Sequence, residues 1–151
     1  MKRILAYSGH LLAATFAVPW LTIMASGLAF KRGTVFRLDA NGVETVLYSF
    51  AGNLKDGAYP RGGPLVQDAV GNLYGTTYYG GTGTCTDGFG FGCGTVFKVD
   101  ANGTETVLHS FTGGDGQWPY GGLIMDAAGN LYGTALQGGP SNNGVVFKLA
   151  P

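Results

Sequence analysis

From residue 33 onward the apolar positions fall in short runs, each cut off by Gly, Asp or Asn. Thr34-Val35-Phe36-Arg37-Leu38, Glu44 to Phe50, and Leu73-Tyr74-Gly75-Thr76 are typical of them. Runs of this length, rich in β-branched and aromatic residues and bounded by turn formers, predict strands. The pattern Asp-Ala-x-Gly occurs four times, beginning at Asp39, Asp68, Asp100 and Asp126 and closing at Gly42, Gly71, Gly103 and Gly129. Between apolar runs it predicts hairpins. The Asp carboxylate accepts backbone N–H groups ahead of it, and the Gly supplies the positive φ that starts the returning strand. Thr106 to Phe111 has apolar residues on both faces instead of a clean alternation, which requires a sheet covered on both sides.

The runs are themselves repeated. GTVFRLDANGVETVLYSF (33–50) matches GTVFKVDANGTETVLHSF (94–111), and Gly144-Val145-Val146-Phe147 opens a third copy. Asp56-Gly57-Ala58-Tyr59-Pro60 matches Asp115-Gly116-Gln117-Trp118-Pro119, and Asp68 to Thr76 matches Asp126 to Thr134. The first period is 61 residues and the second 50; the difference lies in short insertions placed in turns, where extra length costs little. Two hairpins per unit give four strands per unit. The expected fold is therefore all-β, with tandem four-stranded antiparallel blades of β-propeller type. Repeat 1 covers 33–93, repeat 2 covers 94–143, and 144–151 starts a third. A two-sheet sandwich is the structural rival. About two blades plus one strand make an incomplete ring, since propellers use roughly four to eight blades. The chain is then expected to be a fragment of a longer one, or to pair with other copies.

Composition narrows the classes. With 28 Gly, 13% aromatic residues and only 12% charged residues, the chain is neither collagen-like nor disordered. Nine Lys plus Arg balance nine Asp plus Glu, so no overall field points to nucleic acid. Lys2 and Arg3 precede a run free of Lys, Arg, Asp and Glu from Ile4 to Phe30, so residues 1–30 read as a signal peptide or a membrane-anchor-like leader. A third reading makes Ala25 to Phe30 the worn end of a preceding unit. The leader assigns 31–151 to the repeat domain and the protein to the cell surface or the secreted space. Cys85 and Cys93 lie in one Gly-rich stretch with no further Cys or His for a zinc site, and a disulfide there fits an oxidising compartment. It would add about 2–3 kcal/mol by restricting the unfolded chain.

These motifs resemble the GloVer (Gloeo/Verruco) tandem repeat of exported and surface-anchored bacterial proteins. GTVFKVDANGTETVLHSF, the DGxxP turn, and DAAGNLYGT followed by Gly138-Gly139 carry the likeness, which runs from about Gly33 to Leu149. It implies a β-propeller-like array and carries no catalytic residues to transfer.

The chemistry-bearing residues point the same way. His109 takes the place of Tyr48 in the other unit, and an exchange of that kind inside a strand reads as packing. Glu44 and Glu105 follow hairpin turns, where solvent is the expectation. Each repeated Asp offers calcium one carboxylate that its turn already uses, so no metal, no cofactor and no catalytic residue is assigned. The candidates for ligand contact are Tyr59 and Trp118, with Asp56 and Asp115 in the same turns, because a ring beside Pro can stack on a sugar or a peptide. The alternative is that each ring caps its own sheet. Tyr78, Tyr79, Phe89 and Phe91 around the cysteine loop form a second candidate patch. The reading is a non-enzymatic structural or binding module whose partner is a glycan, a protein or further repeats. Its rival is a fragment of a secreted propeller lyase or hydrolase with its catalytic blades missing.

Overall fold

The computed structural model describes residues 21–25, 32–52, 55–61, 63–85 and 92–150. The leader apart from 21–25, and Phe89 and Phe91, lie outside the described residues. All regular structure among the described residues is β, in antiparallel sheets of which none is closed.

The first sheet has the order β1-β2-β3, built from Leu21–Ala25, Thr34–Leu38 and Glu44–Ser49. Gly57–Ala58 (β4), Val66–Gln67 (β5), Leu73–Thr77 (β6) and Tyr79–Gly80 (β7) follow. Thr95–Val99 (β8) and Glu105–Ser110 (β9) complete the middle sheet, of order β5-β6-β8-β9, with β4 and β7 paired beside it. In the last sheet Gln117–Pro119 (β10) and Ile124–Met125 (β11) both pair with Leu131–Gln137 (β12), whose other edge takes Val145–Leu149 (β13). The middle sheet thus straddles the boundary at residue 94: its first two strands belong to one sequence repeat and its last two to the next. Leu21–Ala25 pairs with β2 in the register that Leu73–Thr77 keeps with β8 and Leu131–Ala135 keeps with β13. Its backbone stands where a preceding unit would place its fourth strand.

The turns are copies of one another. Oδ1 of Asp39 accepts the N–H groups of Asn41 and Val43 at 2.8 Å each. Oδ1 atoms of Asp68, Asp100 and Asp126 take the N–H groups two and four residues ahead in the same way. Gly42, Gly71, Gly103 and Gly129 close them with φ of 81°, 95°, 85° and 85°, a region where a Cβ is strained. In Asp68 and Asp126 the second oxygen also accepts the side-chain amide of Asn72 or Asn130 and the hydroxyl of Tyr74 or Tyr132. The Asn130 amide, with its own backbone N–H and the Tyr132 hydroxyl, pulls the Asp126 carboxyl down to about 2.

Two apolar layers hold the three sheets together, and they are built from matched positions. Val35, Phe50, Leu65, Leu73, Phe97 and Val99 form the layer between the first and middle sheets. Val96, Phe111, Leu123, Leu131, Phe147 and Leu149 stand at the same places in the layer between middle and last. Side chains of a strand alternate in direction, so β8 sends Phe97 and Val99 one way and Val96 the other, and every side chain of β6 is buried. The two-sided burial falls on β6 and β8, the inner pair. The outer strands are wetter, with β9 partly buried and Val46 of β3 half exposed, because each has a sheet neighbour along one edge only.

In each layer one Phe ring packs closely against a strand glycine. A Cβ added to Gly75 would come within 2.7 Å of the Phe97 ring and 2.6 Å of Leu65. Gly133 stands in the same relation to Phe147 and Leu123. Gly75→Ala therefore overpacks the first layer. The expected cost is about 1–3 kcal/mol, measured as a lowered midpoint in urea or thermal unfolding.

Candidate functional site

The DGxxP turns place their aromatic residues in an unusual backbone conformation. Tyr59 has φ of 55° and Trp118 of 57°, both in the left-handed region that bulky residues avoid. The conformation is held from outside: the Tyr59 N–H donates to Arg32 O at 2.7 Å, and the Trp118 N–H donates to Cys93 O at 2.8 Å. Arg32 and Cys93 each precede the Gly that opens a GTVF strand, so the repeat itself turns both rings out at one end of the sheets.

The rings do not stay separate. Trp118 lies parallel to Tyr78, with centroids 5.9 Å apart and planes inclined by 13°. Tyr78 meets Tyr79 edge-on at 4.6 Å and Tyr120 at 6.1 Å, and Tyr59 meets Tyr79 at 5.7 Å. The Arg61 guanidinium stands 4.9 Å above the Tyr78 ring. The two aromatic patches expected from the sequence are thus one surface, as far as the described residues go. Tyr120 is exposed, and the other four rings are half-buried. The Trp118 indole N–H is buried with no acceptor among the described residues. Sequence reading had not marked Arg61 or Tyr120. The available signal was departure from the repeat, because Tyr78, Tyr79 and Tyr120 stand opposite Leu136, Gln137 and Arg61.

The aspartates of these turns are occupied inside the fold. Asp56 is buried and accepts the N–H groups of Ala51 and Gly57 and, at 3.2 Å, the Tyr48 hydroxyl. Asp115 accepts the N–H and hydroxyl of Thr112 and pairs with His109 Nε2 at 2.8 Å. Burial raises the Asp115 pKa, but these partners outweigh it and hold the carboxyl below its usual range. His109 and Tyr48 therefore do the same job, joining the strand to its turn. The two carboxylates bend the turn that presents the ring. A cleft of about 180 Å³ opens beside His109, Asp115 and Lys148, and no Ser or Cys lines it.

Cys85 and Cys93 are joined by a disulfide, as expected from the sequence. Cys93 is fully buried in the second layer and Cys85 packs against it, so the bond itself is part of the core. Among the described residues no three His, Cys, Asp or Glu side chains converge as a metal centre would require.

A family profile described as the Gloeobacter/Verrucomicrobia repeat matches residues 21–151. The chain belongs to that family. The match takes in Leu21–Ala25, the strand paired in repeat register with β2. No curated protein matches the chain.

One carboxylate of this family member departs from expectation. Glu44 is in solvent, whereas Glu105 is half-buried. The β8–β9 hairpin leans on β3, where a Cβ on Gly103 would come 2.7 Å from Leu47 O. One Glu105 oxygen has no hydrogen-bond partner among the described residues. Burial first, and the Asp56 charge second, raise its pKa from 4.5 to about 7. A carboxyl raised in the folded state contributes its full stability below 4.5 and loses it as pH climbs through 7. Glu105→Gln should leave stability unchanged at pH 4.5 and raise it at pH 8.5. The gain, discounted for the solvent that reaches a half-buried group, is on the order of 1 kcal/mol. Urea unfolding at the two pH values measures it.

Proposed function

We propose that the chain is an exported or cell-surface structural and binding module without catalytic activity, its sheets stacked in the manner of propeller blades. The aromatic ledge of Tyr59, Tyr78, Tyr79, Trp118 and Tyr120 is its contact surface, and a glycan or a protein is the partner. The observation that carries the reading is where the ledge forms. Positions that build the layers are alike in both units, but Tyr78, Tyr79 and Tyr120 break the repeat, and they break it together. Packing alone gives no reason for that, since Leu136 and Gln137 serve at the matched places. Half-exposed rings with hydroxyl edges and a guanidinium suit a ligand that offers a flat face and oxygen acceptors.

Export is supported by the basic, then apolar, N-terminal sequence and by the disulfide, which persists in oxidising compartments. The rival reading is part of a secreted lyase or hydrolase. In its favour stands Glu105, whose carboxyl near 7 is suited to proton transfer. Against it, the nearby Asp56 is taken up by three hydrogen bonds, from the Tyr48 hydroxyl of β3 and the N–H groups of Ala51 and Gly57.

Glycan and peptide arrays probed with the full chain test the contact role. Binding by the native chain should fall about tenfold or more in Tyr78→Ala and in Trp118→Ala, the loss expected of a stacking ring at the centre of an interface. Unchanged dichroism would certify the fold of both variants. No binding by the native chain, or binding indifferent to both substitutions, would overturn the reading.

A further inference from the structure

Tyr78 is approached by both DGxxP turns. The first brings Arg61 over its ring, with the guanidinium 4.9 Å from the centroid. The second brings Trp118 parallel to it at 5.9 Å and Tyr120 edge-on at 6.1 Å. Arg61 and Tyr120 hold the same place in their turns, each directly after the Pro. One repeat therefore supplies a cation where the other supplies a ring, and both meet one tyrosine. The backbone fixes that meeting. A Cβ on Gly63 would collide with the Gly122 backbone, so the chain touches itself two residues beyond Arg61 and Tyr120. Thr76 of β6 also donates its hydroxyl to Gly121 O at 3.2 Å, which ties the second turn to the middle sheet.

The charge at this place is unmatched. Arg61 is exposed, and among the described residues it has no carboxylate partner. The carboxylates of the two turns are engaged elsewhere. Asp56 is buried with the Tyr48 hydroxyl and the N–H groups of Ala51 and Gly57, and Asp115 takes Thr112 and His109. A guanidinium offers a planar fork of N–H donors that matches a carboxylate with two parallel bonds. The rings beside it offer apolar faces and hydroxyl edges, which suit the C–H face and the hydroxyl groups of a sugar.

A hexuronic acid has both features in one unit, because its carboxylate is fixed directly to a pyranose ring. The 4.9 Å from guanidinium to Tyr78 and the 6.1 Å from Tyr78 to Tyr120 set cation and exposed ring side by side. An acidic peptide carries its carboxylates on flexible stems, which lose rotamer freedom on binding, and it has no rigid face to lay on Tyr120. We propose that the ledge binds an acidic glycan built of hexuronic acids, with a sugar ring on Tyr120 and its carboxylate on the Arg61 guanidinium. This rests on the ledge being a contact surface and adds the charge and the sugar class of what it contacts.

Calorimetric titration of the full chain tests this, with oligomers of galacturonate, mannuronate, guluronate and glucuronate, each beside its neutral methyl ester. At least one acid should bind about tenfold more tightly than its ester. Arg61→Gln alters an exposed side chain, so it should keep the native dichroism while removing the preference for acid over ester. Tyr120→Ala should weaken the acid by about tenfold as well. Failure of every acid to bind overturns the proposal. So does an acid bound no better than its ester, a preference that survives Arg61→Gln, or poly-glutamate bound as tightly as the uronates. Binding of a neutral glycan that falls in Tyr78→Ala but not in Arg61→Gln would sink the uronate and leave the contact role standing.

Discussion

Each sheet in this protein needs another sheet against it. A middle sheet whose inner strands are apolar on both faces has no stable form in water alone, because its two faces together expose most of what the chain has to bury. The layers answer that need with Val, Phe, two Leu, Phe and Val or Leu, two drawn from one sheet and four from the next. The absence of a Cβ at Gly75 and Gly133 lets the rings of Phe97 and Phe147 approach the backbone closely. Neither a sheet nor a sequence repeat is a folding unit under this constraint. The unit is the interface between two sheets.

The polar groups serve the same geometry from outside the layers. Each Asp of the hairpin turns spends one oxygen on two backbone N–H groups, which fixes where the chain reverses and so fixes strand register. The Asp of the DGxxP turn accepts a donor from the preceding strand, and that donor is Tyr48 in one unit and His109 in the other. Two side chains of different chemistry are interchangeable there because the turn needs only a donor at that distance. Histidine in this chain is thus explained by a hydrogen bond already present in its tyrosine-bearing twin.

The repetition fails at one end of the sheets. The positions that carry the layers tolerate little change, since a methyl group too many collides with a ring. The end of the sheets that bears Tyr59 and Trp118 is free of that restriction, and there neighbouring segments have diverged into a connected aromatic surface. The disulfide lies against the second layer, where Cys93 is buried and Cys85 packs beside it.

Short apolar runs, four Asp-Ala-x-Gly turns and a GTVF motif met twice, with a third copy reading GVVF, were enough to specify an all-β chain of paired hairpins and its family. Turn chemistry and strand periodicity are local, acting over a few residues, so a sequence displays them directly. The phase of the repeat is different: GTVF begins the sequence unit but lies inside a sheet, because hydrogen bonding joined β6 to β8 across an intervening loop. Nor does a linear reading reveal that Tyr78 lies parallel to Trp118, that Glu105 leaves water while Glu44 stays in it, or that Val146 alone of its class faces solvent. Each of these depends on which sheet lies against which, and contacts between residues forty or more positions apart exist only once the layers have formed.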